Sequence, residues 1–253
     1  MTEIALVFAY GLITALATGL GALPFVFVRS VSGRTIGTLN ALAAGLMLGA
    51  SFGLLTESTH YGGWQTFVGA NVGILFILVT NRFLKDHHFQ AGRSEGMSEA
   101  GRERLRRMIL IVTVMTVHSF AEGVAIGTSF GGGMTLALFI TVAIAVHNIP
   151  EGVAISAVLR SAGVGIGRCA GWSVVSSLPQ PLMAVPAFLF VEAFRPALPY
   201  GIGFAAGAMV FMVLLEVLPE AYGRGSARRI GATASTSLIA MILFQRLLGG
   251  FGG

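Results

Sequence analysis

Apolar stretches close to the length a helix needs to cross a bilayer follow one another from Ala5 to the C-terminal end of the sequence. Within lipid, every backbone N–H and C=O must find a partner inside the protein. Continuous apolar runs therefore specify helices, whereas alternating ones would specify a barrel. The breaks place spans near 4–28, 39–57, 66–84, 108–130, 134–159, 170–192, 200–220 and 230–248. Eight spans of ~20 residues use ~160 positions, which leaves no room for a sizeable soluble domain. Charged residues make up 11% of the chain, against ~25% in soluble domains. The 35 glycines suit close helix packing in lipid. The expectation is a single transmembrane domain over 1–253, an all-α polytopic membrane protein of eight transmembrane helices.

Sorting the basic residues by connection orients the chain. Fourteen of the sixteen, including the run from Lys85 to Arg107, fall on one side, leaving Arg195 and Arg246 opposite. Basic residues accumulate on the cytoplasmic side, so both termini are expected outside, with 85–107 as a long, polar, mobile cytoplasmic connection. A seven- or nine-span arrangement would split this asymmetry. The start, MTEIALVF, carries Glu3 where a cleavable leader would carry positive charge, so the first span is expected to stay. The net charge of +5 is accounted for by this topology, since no basic patch is interleaved with stacking aromatics. The single Cys169 can make no internal disulfide and is read as a small apolar residue.

Ionisable groups in mid-span are the exception that needs a reason. Span four contains His118, Ser119 and Glu122; span five contains His147, Asn148, Pro150 and Glu151. Such groups cost several kcal/mol at that depth unless they face a cavity, a partner or an ion. Residues four apart share a helix face, about 6 Å apart along the axis. Each helix thus presents one imidazole and one carboxylate in the same direction. Two facing helices would supply two nitrogens and two oxygens, a set suited to zinc, iron or manganese more than to calcium or magnesium. A His/Glu hydrogen-bond network that only fixes packing and a proton relay without metal are the alternatives.

The two segments also repeat. HSFAEGVAIG and HNIPEGVAIS agree at six of ten positions, 29 residues apart, in spans joined by Gly131-Gly132-Gly133. Adjacent spans run antiparallel, so the copies form an inverted pair near the bilayer midplane, where transporters often bind substrate. Ala43-Ala44-Gly45-Leu46-Met47 in span two echoes Ala205-Ala206-Gly207-Ala208-Met209 in span seven, and the acids Glu57 and Glu220 follow them. The chain then divides as 3+2+3. Pro150, and Pro179, Pro181 and Pro186 in span six, remove internal hydrogen bonds and are expected to bend their helices near the site.

On these residues, above all the paired HSFAEG and HNIPEG segments, the sequence resembles the ZIP (Zrt-, Irt-like) divalent metal transporter family, in its bacterial GufA-like branch. The resemblance implies a 3+2+3 inverted-repeat bundle that moves zinc, and often iron, manganese or cadmium, into the cytoplasm across the plasma membrane. By that match His118, Glu122, His147 and Glu151 are the transport ligands, and Met47 occupies a position where some bacterial members place a methionine near the metal. Members holding two adjacent metals place an asparagine, a polar or acidic residue and a glutamate where this chain has Ser119, Asn148 and Gln180. An amide in place of a carboxylate removes charge that would offset a second dication, so one ion at a time is expected. His87 and His88 in the long connection, and Glu216 and Glu220 at the end of span seven, are candidates for an exit path. Glu57 and His60 are candidates for an entrance.

No cofactor is expected beyond the transported ion, and the partners are that ion, the bilayer and, as an open expectation, a second copy of the chain. Ligands must shed protons to bind metal, so uptake should weaken as external pH falls into the range where imidazole protonates. The rival is an intramembrane metal-dependent hydrolase. Its usual HExxH pattern is absent, both segments reading HxxxE, and no spare acid or base is evident.

Overall fold

The computed structural model describes residues 2–27, 32–91 and 99–250, with side chains described except at 83–91, 100, 102–104, 106–107, 110–111 and 248–250. Every regular element among the described residues is helical. The first passage is α1 (Glu3–Leu20) with the short α2 (Pro24–Phe27). Then follow α3 (Gly33–Tyr61), α4 (Gly63–Ala91), α5 (Glu99–Gly131) and α6 (Met134–Ser161). The sixth passage is split into α7 (Ile166–Ser177) and α8 (Pro179–Ala193). The seventh comprises a 3-10 turn (Arg195–Ala197), α9 (Leu198–Met212), a π-helical turn (Val213–Val217) and α10 (Leu218–Arg224), and the eighth is α11 (Ala227–Gly250). Seven of these passages are long and apolar enough to cross a membrane. The other long helix, α5, carries an apolar run of similar length over 108–130, with His118 and Glu122 inside it. The protein is a multi-pass, all-helical membrane protein.

Local sequence explains where the helices start and break. Ser32 caps α3 by accepting from the Thr35 N–H at 3.1 Å. Pro179 opens α8, where its missing N–H costs nothing, and so divides the sixth passage at Leu178. Pro150, Pro181 and Pro186 break nothing, since α6 and α8 run through them. Pro219 lies just after the π turn, in which the ladder is widened from i→i+4 to i→i+5. Gly133, at φ 104°, makes the tight reversal between α5 and α6. The connection expected over 85–107 is shorter than that, because α4 continues to Ala91 and α5 begins at Glu99. Its Glu, Arg and Leu residues are good helix formers, and they extend the flanking spans beyond their apolar parts.

Large apolar side chains such as Phe27, Trp64, Leu182 and Leu247 face outward, as suits a lipid solvent. Packing inside depends on small residues. A Cβ on Gly69, Gly73, Gly203 or Gly207 would strike the backbone of the opposing helix, which sets α4 close against α9. Gly45 and Gly49 do the same for α3 against Ala234 and Leu238 of α11. Gly127 lies against the Ala184 carbonyl of α8, and Gly152 against the Thr18 carbonyl of α1. In each pair the residue numbers rise together, so third and seventh, second and eighth, fourth and sixth, and first and fifth passages run parallel. Passages of like parity point the same way.

These pairings divide the bundle in two. Passages two, three, seven and eight pack on one another through α4 with α9, α3 with α11 and α3 with α9. Passages one, four, five and six pack through α5 with α8, α1 with α6 and α1 with α8. The groups meet where α3 faces α6 and α5 faces α9.

Candidate metal centre

Along that seam α5 brings His118 and Glu122, and α6 brings His147 and Glu151, to one point. One ligand atom from each of the four lies within 4.8 Å of the other three. All four are buried, Glu151 at 2% exposure and the others at 0%. The i, i+4 spacing aims each pair off its own helix, and the Gly131–Gly133 reversal turns the two faces together.

Glu122 is the hub. Its Oε1 lies 2.6 Å from His147 Nε2 and 3.4 Å from His118 Nε2, and its Oε2 accepts from the Gln180 amide. His147 Nδ1 lies 3.0 Å from the Ala143 carbonyl. A carbonyl can only accept, so Nδ1 carries the proton and Nε2 is left to face the centre, the usual arrangement of a metal-binding histidine. Asn148 donates to Gln180 Oε1 at 3.2 Å and to the Thr14 carbonyl at 2.9 Å. A chain of amides thus runs from α1 through α6 and α8 to one oxygen of Glu122.

Glu151 differs. Neither carboxylate oxygen has a hydrogen-bond partner in the protein, and His118 Nδ1, Ser119 Oγ and Asn148 Oδ1 are likewise without one. A buried carboxylate without donors costs several kcal/mol unless a positive charge accompanies it. Two imidazoles, two carboxylates and unpaired oxygen and nitrogen at one point form the donor set of a borderline divalent metal.

Glu151 and His118 form the floor of a cavity of about 360 Å³. Met47, Met115 and Met212 line it, as do Asn40, Glu216, Glu220 and Arg224 towards its far end. It reaches the surface at Glu220 and Arg224, which pair at 2.9 Å with both side chains partly exposed. In the opposite direction, towards the Gly131–Gly133 reversal, a buried apolar cluster including Leu54, Ile126, Ile140 and Ile144 covers the centre. Among the described residues, the cavity that reaches the centre opens on the Glu220 and Arg224 side.

Of the residues singled out from the sequence, Met47, Glu216 and Glu220 line the same cavity as His118 and Glu151, and Ser119, Asn148 and Gln180 are buried near the four central groups. Asn148 and Gln180 spend their donors on protein partners. Cys169 is buried, as expected of a small apolar residue. Glu57 is half-buried and His60 exposed at the opposite end of α3, away from the cavity. The side chains of His87 and His88 lie outside the described residues. Two features escaped the sequence reading. Asn40 is the only polar residue of α3 on the cavity wall, seven before Met47 on the same face, and that spacing was the available signal. The Thr14 carbonyl is backbone, and nothing in a sequence marks it.

Residues 81–243 match the family model described as ZIP Zinc transporter. A relative from Arabidopsis thaliana is 42% identical over 245 residues, covering 96% of this chain but 39% of that longer protein. Zinc transporter ZIPB of Bordetella bronchiseptica is 35% identical, with 88% of this chain and 74% of that one aligned. Zinc transporter GufA of Myxococcus xanthus is 29% identical, with 94% and 97% aligned. The matched region contains both His/Glu segments and most of the cavity wall, and on this likeness the chain belongs to the ZIP family.

Proposed function

We propose that the protein carries a divalent transition-metal ion, zinc first among them, across the plasma membrane into the cytoplasm. The observation that carries this reading is the convergence of four buried ligand atoms, with Glu151 unpaired, at the floor of a cavity open to one side. His118, Glu122, His147 and Glu151 hold the ion, and Met47 offers a thioether beside it. Asn148 and Gln180 orient Glu122 rather than bind, which favours a single ion.

The side reached by the cavity is the one where basic residues accumulate, Arg224, Arg228 and Arg229 among them, so the cavity is the cytoplasmic exit and both termini lie outside. Glu216 and Glu220 line that exit. The parallel pairing of like-parity passages supports eight spans. The third passage packs on the seventh as the eighth packs on the second, and the fourth packs on the sixth as the fifth packs on the first. That correspondence supports a two-fold, inverted relation between passages one to three and six to eight. The ion would shed water for imidazole and carboxylate, then leave when the two helix groups shift. No bond of a substrate is made or broken, and membership of a transporter family sets aside the hydrolase.

Zinc uptake into proteoliposomes, compared with a Glu151→Ala variant, tests the reading. Uptake by the parent and none by the variant is expected. Equal uptake would remove α6 from the site, and hydrolase activity without uptake would restore the rival. Competition by iron, manganese and cadmium ranks the substrates.

A further inference from the structure

The cavity between the centre and the surface carries a polar side chain that the transport reading does not use. Asn40 lies on α3 at 5% exposure and lines the same cavity as His118, Glu151, Glu216 and Glu220, and its Oδ1 has no hydrogen-bond partner in the protein. Leaving a buried amide oxygen unpaired costs ~1–3 kcal/mol. Its neighbours along α3, Gly37, Ala41 and Ala44, are buried as well, and a leucine at this position would be of similar size without that cost. The oxygen is thus available to whatever fills or passes through the cavity.

Its depth says what. Antiparallel packing sets Ala44 and Met47 beside Val213 and Val217, Ala41 beside Ala221, and Gly37 beside Arg224. Asn40 therefore sits level with Glu220, about 10 Å along the helix from Met47. The π turn adds a residue to one turn of the seventh passage, so that Met212, Glu216, Glu220 and Arg224, each four apart, all line the cavity. An ion leaving His118 and Glu151 meets carboxylates on that wall and, on the α3 wall, one neutral oxygen.

We propose that Asn40 is a waypoint ligand, its amide oxygen taking the place of a water molecule on the departing dication between Glu151 and the Glu220–Arg224 mouth. This rests on the transport reading. A neutral oxygen lowers the cost of partial dehydration without the deep well a third carboxylate would dig, and conduction requires sites that both bind and let go. Asn40 acts on release, so it governs turnover and leaves the affinity of the central site alone.

Two variants test this in proteoliposomes and in detergent. Asn40→Leu should lower the maximal rate of zinc uptake about five-fold or more, with zinc affinity at equilibrium unchanged and thermal melting unchanged or raised. Asn40→Asp should keep the oxygen but retain the ion, raising bound zinc from one to two per chain by equilibrium dialysis while also slowing uptake. Wild-type turnover in Asn40→Leu would overturn the proposal. So would a loss of rate accompanied by lower melting in both variants, the mark of a packing role, or unchanged zinc stoichiometry in Asn40→Asp. Glu151→Ala, measured alongside, separates the two readings: if that variant still transports zinc the central site is misassigned, whatever the Asn40 variants do.

Discussion

Glu122 and Glu151 sit 29 residues apart in repeated segments, yet their surroundings are unlike. Glu122 is held by two histidines and an amide, whereas Glu151 faces the cavity with no donor from the protein. The contrast predicts opposite responses to loss of charge. Glu151→Gln should abolish zinc uptake yet raise the melting temperature of the purified protein, because an uncompensated buried charge is removed. A fall in melting temperature would mean that Glu151 has a structural partner. Gln180→Ala frees Glu122 Oε2 from its donor and should weaken zinc binding by ~10–100-fold, the usual effect of losing a group that orients a ligand. Competition with a fluorescent chelator measures it, and unchanged affinity would show that Gln180 has no hold on the site.

Helices in this protein approach by means of glycine. Lipid supplies no hydrophobic drive between them, so contact depends on backbones coming close enough for dispersion to accumulate. Gly207 meets the Ala70 carbonyl, and Gly45 meets the Ala234 carbonyl and the Ser237 hydroxyl. Gly207→Leu or Gly45→Leu should therefore destabilise the protein by ~1–3 kcal/mol or more, by forcing helices apart. Thermal unfolding in detergent reads this. The exposed Gly171, whose missing side chain faces open space, serves as the control, since Gly171→Leu should change little. Proline acts at the same scale in two ways. Pro179 starts a helix and divides a span, whereas Pro150 is absorbed within α6 and removes one internal hydrogen bond two turns or less from the centre.

The described residues form two helix groups with the centre on their seam, α5 and α6 from one group contributing its four His and Glu side chains and α3 with the seventh passage forming the opposite wall. Release to one side and closure to the other follow if the groups slide or rock against each other. A cysteine pair joining Leu54 to Ile140 across the apolar seal should block uptake on oxidation and restore it on reduction. A pair joining Ser58 to Thr66 within one group, where the two hydroxyls already lie 2.7 Å apart, should be tolerated. Uninterrupted transport through the oxidised Leu54–Ile140 link would exclude relative motion there. Protons compete with the ion for all four ligands, so zinc uptake should fall as the outside is acidified. Uptake that instead climbs with acid would point to proton-driven coupling.

Hydropathy and the HxxxE repeat made much of the architecture legible in the sequence: a multi-pass helical membrane protein, and the four residues buried together deep within it. These were legible because bilayer thickness, backbone hydrogen bonding and the period of the helix are local constraints that each segment satisfies by itself. Partnership was not legible in this way. That Gln180 and Asn148 serve Glu122, that Asn40 faces the cavity, and that the centre opens past Glu220 while Ile140 and Leu54 seal the other side depend on which helix lies against which. The charged connection lengthened into helix for the converse reason, since propensity there was free of any lipid constraint. Inside a bilayer every span is apolar on nearly every face, so hydrophobic pattern cannot choose neighbours, and the choice falls to the fit of glycines and amides that only the assembled bundle brings together.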